Sequence, residues 1–437
     1  VILVLGAFCV AVAVVALAAF PFWGVVIALA VRPIVDATWQ YSIGGFNLLD
    51  VLGAAFPLFL LPRVLNRHAF LPMSRGMRYA ALGFFLCQVL GAITLLGERN
   101  LVLFAEVCMR ALNGYLGFFV LILLVQDRRT FRIALLALLL AGVFPVVVGL
   151  YQNATGVVWQ ERMTVGLTRR VGLYHDAFNL RWYGFQALAA VLLYRSYFKP
   201  RAVHWNALLN LYAVSWLYVI FHTYSKAATL ILVLWWIMWT VLRRDWPVLA
   251  WGTVALSVLC ITPSSPVLRT VETMFSKEIA FGRGDIVDSR RLLAGRGYIW
   301  EARWDDWTAL EPEQKLVGTG RSPGTHNEFF RILFAGGIAG LLINVLVLAG
   351  VGYLLLRLTY SHRSPLNVIA LMVFTMWLID CVGVHPGLYP AYQWFVWGII
   401  TLAVCRLPFI EEFEYSIVES DSGYFGPGPF TEEGFGV

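Results

Sequence analysis

The residues best suited to chemistry lie in one stretch, GTGRSPGTHNEFFRILFAGGIAGL, from Gly318 to Leu341. Thr325 and Glu328 have capping-box spacing, which predicts a helix start with His326 and Asn327 in its first turn. Free N–H groups and a partial positive charge at a helix start favour phosphate. An imidazole placed there is suited to taking a proton near neutral pH. The same pattern also describes a histidine that merely fills space beside a cap. The glycines at 318 and 320 are weak evidence for nucleotide binding, because no strand–turn–helix unit surrounds them.

A second set of candidates is cationic. Arg169 and Arg170 lie in GLTRRVGLYHDAFN, Arg296 lies in AGRGYIW, and Lys226 follows Ser225. Guanidinium groups match phosphate oxygens in pairs. Contact with lipid head groups is the competing reading for Arg169 and Arg170. His222 and Lys226 flank a short turn, where they either line the same cavity as His326 or snorkel to the membrane surface. Glu106 and Arg110 are four apart and read as an intrahelical ion pair. The six cysteines lie in apolar runs without CxxC spacing, so neither a disulfide framework nor a zinc site is expected.

The elements that must position these residues are membrane helices. The chain has 437 residues, is 59% hydrophobic and only 14% charged, against roughly 25% charged in a soluble domain. Its apolar runs are long enough to cross a bilayer. This excludes a soluble enzyme, a disordered chain and a nucleic-acid-binding protein. Twelve spans are expected, near 8–31, 48–62, 79–96, 101–125, 133–150, 180–197, 206–222, 227–242, 246–262, 337–357, 366–383 and 391–406. The first run reads as a retained anchor, though Pro21 allows it to divide in two, giving thirteen. With the N-terminus inside, short inside loops hold fifteen Lys and Arg and short outside segments hold seven. That bias predicts both termini inside.

Two outside segments are long, 151–179 and 263–326. Both contain Trp, Tyr and Arg rather than linker composition, so both are expected to fold as caps. The aromatic residues at 298–307 are candidates for stacking on sugars. Residues 1–407 form one transmembrane unit in this reading. The tail, 408–437, has seven acidic residues and a Gly/Pro stretch, and reads as disordered and cytoplasmic.

The late motif resembles a known family. His326-Asn327, nine residues, then Gly337-Ile338-Ala339-Gly340 matches the H-N-x9-G-x-x-G pattern of the O-antigen ligase and polymerase superfamily. Gly295-Arg296-x3-Trp300 is similar to the G-R-x3-W element of that family. Ser225-Lys226 stands where many members carry Ser-Arg, a departure that puts a strict arginine role there in doubt. The resemblance implies an all-α polytopic membrane glycosyltransferase of GT-C-like architecture with a large helical periplasmic loop. It would lie in a bacterial inner membrane, active on the outer face. His326 would be the general base. Arg296 would hold the diphosphate of a polyprenyl-diphosphate-linked glycan donor, with Arg169, Arg170, Lys226, Asn327 and His222 as further substrate-binding candidates. Gly337 and Gly340 would be a structural motif.

No cofactor or metal is implied. The implied partners are the donor, a glycan or lipid-linked acceptor, membrane lipids and a chain-length regulator, but no nucleic acid. Polymerisation of lipid-linked repeat units is the leading expectation, and ligation to a lipid A core is the close alternative. A transporter is the alternative from another class, but no internal repeat is visible to support it.

Overall fold

The computed structural model describes residues 1–43, 46–67, 71–200, 202–261 and 265–405. The acidic tail lies outside the described residues. In chain order the helices are α1 Ile2–Ala19, α2 Pro21–Asp36, α3 Leu48–Arg67, α4 Arg75–Val89, α5 Ala92–Gly97, α6 Leu101–Leu124 and α7 Arg128–Ala141. Then come α8 Val143–Thr155, α9 Ala177–Phe198, α10 Val203–His222, α11 Lys226–Arg243, α12 Trp246–Ile261 and α13 Pro266–Met274. The last are α14 Ser276–Gly282, α15 Leu292–Thr308, α16 Pro312–Val317, α17 Glu328–Ser361, α18 Pro365–Gly383 and α19 Pro390–Cys405. Two antiparallel hairpins of two residues per strand complete the fold, β1 Ser42–Ile43 with β2 Phe46–Asn47 and β3 Met163–Thr164 with β4 Leu167–Thr168.

Among the described residues, eight helical stretches are long and apolar enough to cross a membrane, and Pro390–Cys405 is a shorter apolar helix. The protein is therefore an all-α, multi-pass membrane protein. The α9 helix, expected as a span at 180–197, is not among the eight, for a physical reason. Asn179, Arg181 and Gln186 lie on it and all three are buried. Neighbouring helices, not lipid, surround α9, so its sequence need not be apolar. The α19 helix is enclosed too, and stacks Trp394 on Phe56 (3.7 Å) and Trp397 on Phe118 (4.6 Å). By contrast, α10 exposes Leu208, Leu211, Val214 and Leu217, the composition of a lipid-facing surface.

The first apolar run is two helices, not one span. Phe20 leaves the helical region (φ −134°, ψ 78°) and Pro21 opens α2 at its first position. Proline disfavours helix in the residue before it, and at a helix start its missing N–H costs no hydrogen bond. Gly24 lets α2 pass against the α1 backbone at Leu17. The turn lies beside the end of α3, where Arg63 donates to the Leu17 carbonyl at 3.3 Å. At the other end of α1, Gly6 packs on Thr38 and Leu48. The N-terminal end of α1 thus lies on the opposite face from the Arg63 loop, where the sequence reading placed it on the same face.

The basic short loops gather at one face. There Arg243 donates to the Arg363 carbonyl at 2.6 Å, and Arg132 donates to Tyr194 at 3.2 Å. The two long segments both fold at the other face. Residues 151–179 carry the β3–β4 hairpin, and 265–326 carry α13 to α16. The expected intrahelical pair of Glu106 and Arg110 forms, half exposed.

Candidate functional site

The α17 helix starts later than its capping-box spacing predicts. Asn327 is its N-cap, and its side chain accepts from Phe330 N at 3.1 Å. Glu328 turns inward and binds Arg331 at 2.6 and 2.9 Å, with both side chains almost fully buried. The Thr325–Glu328 box does not form, because Glu328 neutralises a buried guanidinium instead. His326 therefore precedes the helix rather than sitting in its first turn.

His326 is held in the left-handed region, φ 48°, a costly place for a residue with a Cβ. Its neighbours account for that. The Thr325 hydroxyl donates to the Asn327 carbonyl at 2.8 Å and lies 2.7 Å from His385 Nε2. Trp300 Nε1 donates to the Thr325 carbonyl at 3.1 Å. The His326 ring is exposed and nearly parallel to His385, 6.0 Å between centroids.

The glycines after His326 explain the GTG stretch before it. Gly337 breaks α17 with φ 65° and ψ −166°, a conformation open essentially to glycine alone. The break exposes carbonyls that an unbroken helix would satisfy. Thr319 N donates to the Phe334 carbonyl at 2.8 Å, and Gly320 N to that of Ala335 at 3.2 Å. Gly318 and Gly337 let these two segments touch, while Gly336 and Gly340 pack on the Cys87 carbonyl of α4. The glycine stretch is a helix-break clasp that ties the segment before His326 to the helix after it.

Arg296 approaches His326, and Arg169 approaches Arg296 from a third segment. Arg296, on α15, packs so closely on Gly383 that a Cβ there would meet its Nη1 at 3.0 Å. Arg169 follows the β3–β4 hairpin. Its backbone N donates to Arg162 O at 2.7 Å and its Nε to Thr223 O at 3.0 Å. Burial lowers the proton affinity of both guanidiniums, and Asp176 works against that lowering. Arg169 also feels Arg181, Arg296 and Arg162, and Arg296 feels Arg181. These charges share one electrostatic site. His326 belongs to it, because desolvation and then the Arg296 charge hold its imidazole below its usual value, with Asp176 opposing. His385 is pushed down to about 3 by burial, then by Arg331, His326 and Arg296. Both histidines are neutral at pH 7 in this setting.

Beneath the cluster, Arg181 of α9 pairs with Asp380 of α18, both almost fully buried. Asp380 also accepts from Tyr392 at 2.7 Å, and Arg181 donates to Ser225 at 3.0 Å. Asp176 and Arg181 are site residues that sequence reasoning missed. Asp176 was legible as an N-cap, an Asp just before an apolar helix, and it does cap α9 at Phe178 N.

The remaining candidates do other work. Lys226 binds both Glu278 oxygens, at 2.6 and 2.5 Å, and so ties α14 to the start of α11. His222 Nδ1 bonds its own helix at Tyr218 O, 2.8 Å, and its carbonyl accepts from Arg170 N at 3.1 Å. The predicted cavity shared by His222, Lys226 and His326 is therefore not formed by these contacts. His222 and Arg170 brace the turn that holds Arg169. Among the described residues, no group of three or more His, Cys, Asp and Glu is placed to hold a metal ion. The assembled site is a cationic one beside a neutral imidazole, suited to an anion and a proton transfer. Comparison with protein-family models, curated proteins and solved structures found no match.

Proposed function

We propose that the protein is a membrane glycosyltransferase that polymerises lipid-linked repeat units. One observation carries this reading: Arg169, Arg296 and His326, from three separate segments, share one site. The resemblance of His326-Asn327 to Gly340, and of Gly295 to Trp300, to the O-antigen ligase and polymerase superfamily supports it. The donor is a polyprenyl-diphosphate-linked glycan. Arg169 and Arg296 hold its diphosphate, whose charge grows as the leaving group departs. Neutral His326 accepts the proton of the attacking sugar hydroxyl. The new bond forms at the anomeric carbon as its bond to the phosphate oxygen breaks, with inversion. In this reading the site face is periplasmic, the basic face is cytoplasmic, and α2, α9, α10, α12 and α19 also cross the inner membrane of a bacterium, in a GT-C-like arrangement.

The test is His326→Ala in cells, with glycan chain length and protein level measured together. A polymerase leaves single repeat units on the surface lipid. Bare surface lipid, with long chains accumulating on polyprenyl diphosphate, identifies a ligase instead. Unchanged glycans at normal protein level refute the catalytic assignment.

A further inference from the structure

A cavity of about 510 Å³ opens at the basic face, far from His326 in the fold. Arg128, Arg129 and Arg132 of α7 line it, with Tyr194 and Phe198 of α9 and Trp205 of α10. No carboxylate is among its described lining residues. The nearby Asp127 is engaged as the α7 N-cap, accepting from Thr130 N at 2.7 Å. Three cations at a helix start oppose the helix dipole, so the arrangement favours an anion in the cavity.

The walls narrow the class of anion. Arg128 lies over Phe198 (5.9 Å) and Arg132 over Tyr194 (6.0 Å), and Arg132 Nε also donates to the Tyr194 hydroxyl. These contacts fix guanidiniums against aromatic walls at the end of the bundle. Running on from Trp205 in the cavity wall, Leu208 and Leu211 of α10 are exposed along the helix. A charged chamber leading to an exposed apolar ridge fits an amphipathic anion rather than a small soluble one. Basic pockets between membrane helices at a cytoplasmic face suit phosphate-bearing lipid head groups.

We propose that this cavity binds the phosphate head group of an anionic phospholipid, with its acyl chain lying along α10. The site is separate from the proposed catalytic one, and its test does not depend on glycan chemistry.

The purified full chain would be titrated with phosphatidylglycerol, phosphatidylcholine or inorganic phosphate, and lipid retention read by native mass spectrometry. Retention of phosphatidylglycerol over phosphatidylcholine is expected. The double variant Arg129→Gln/Arg132→Gln should weaken it roughly tenfold or more, whereas Arg75→Gln, an exposed arginine outside the cavity, should not. Equal retention by wild type and the double variant overturns the proposal. So does an equal loss in Arg75→Gln, which would mean diffuse surface charge. Displacement of phosphatidylglycerol by millimolar inorganic phosphate would make the cavity a soluble-anion site and also overturn it. Thermal unfolding of each variant without added lipid separates misfolding from lost binding, and Arg132→Lys, which keeps the charge, should restore part of the retention if the variant is folded.

Discussion

Two glycines of α17, thirteen residues apart, should respond to alanine in opposite directions. Gly337 sits at φ 65°, ψ −166°, and a Cβ there would meet the backbone of Leu316 and Gly318. Forcing alanine into that region costs on the order of 1–3 kcal/mol in strain. The collision is with backbone, which cannot rotate away as a side chain can, and overpacking of this kind costs about 1–3 kcal/mol more. Straightening α17 instead would restore its own hydrogen bonds but strip Thr319 N and Gly320 N of their acceptors. Gly350 is helical, and a Cβ there meets nothing within 4 Å. Alanine at 350 should stabilise by about 1 kcal/mol through helix propensity. The two variants should therefore differ by about 3 kcal/mol or more, Gly337→Ala below wild type and Gly350→Ala at or above it. Unfolding midpoints of the purified proteins in one detergent, with proteolytic susceptibility as a second readout, would measure this. A Gly337→Ala midpoint equal to that of Gly350→Ala would show that the helix break is not required and would remove the account of the glycine clasp.

Two further predictions concern the site and its cap. His385 has a folded-state value of about 3, whereas an unfolded histidine takes its proton near pH 6.5. Below roughly 6.5 the unfolded chain binds a proton that the folded chain refuses, so stability should fall as pH drops toward 3 and be intact above 6.5. His385→Asn should flatten part of that slope, and parallel pH profiles for variant and wild type would contradict the assignment. Glu278→Gln should loosen the cap, because it breaks the Lys226 ion pair while leaving the glutamine in place. The pair is about a quarter exposed on each side and contributes about 1 kcal/mol or less. The expected readout is faster proteolysis within 276–310, with Lys226→Arg near wild type; identical cleavage rates in Glu278→Gln and wild type would dissociate the cap from this contact.

Much of the architecture was legible in advance. The low charge and long apolar runs established a membrane class, and Pro21 marked the place where the first run divides. The His326-Asn327 pair falls just before a helix start, and Gly337 falls at the break in α17. What could not be read was partnership over long separations. Lys226 looked like a phosphate ligand because Glu278, fifty-two residues away, was not visible beside it. Arg181 is, by sequence, only one of the seven basic residues of the short outside segments, although Asp380 lies across from it on α18. Even the local cap depends on the fold, since whether Glu328 completes a capping box depends on whether a buried Arg331 needs its charge.

By itself, the sequence determined that this chain lives in a membrane, where its longest apolar helices run, and which residue types were available for anion binding and proton transfer. Those properties follow from apolar run length and side-chain chemistry, which are local. Only the tertiary structure decided which charges act together. It brought Arg169, Arg296 and His326 into one electrostatic site, assigned Lys226 to the cap and buried Arg181 with Asp380. In a low-dielectric interior a charge without a partner is very costly, so each charge takes its role from what the fold places beside it.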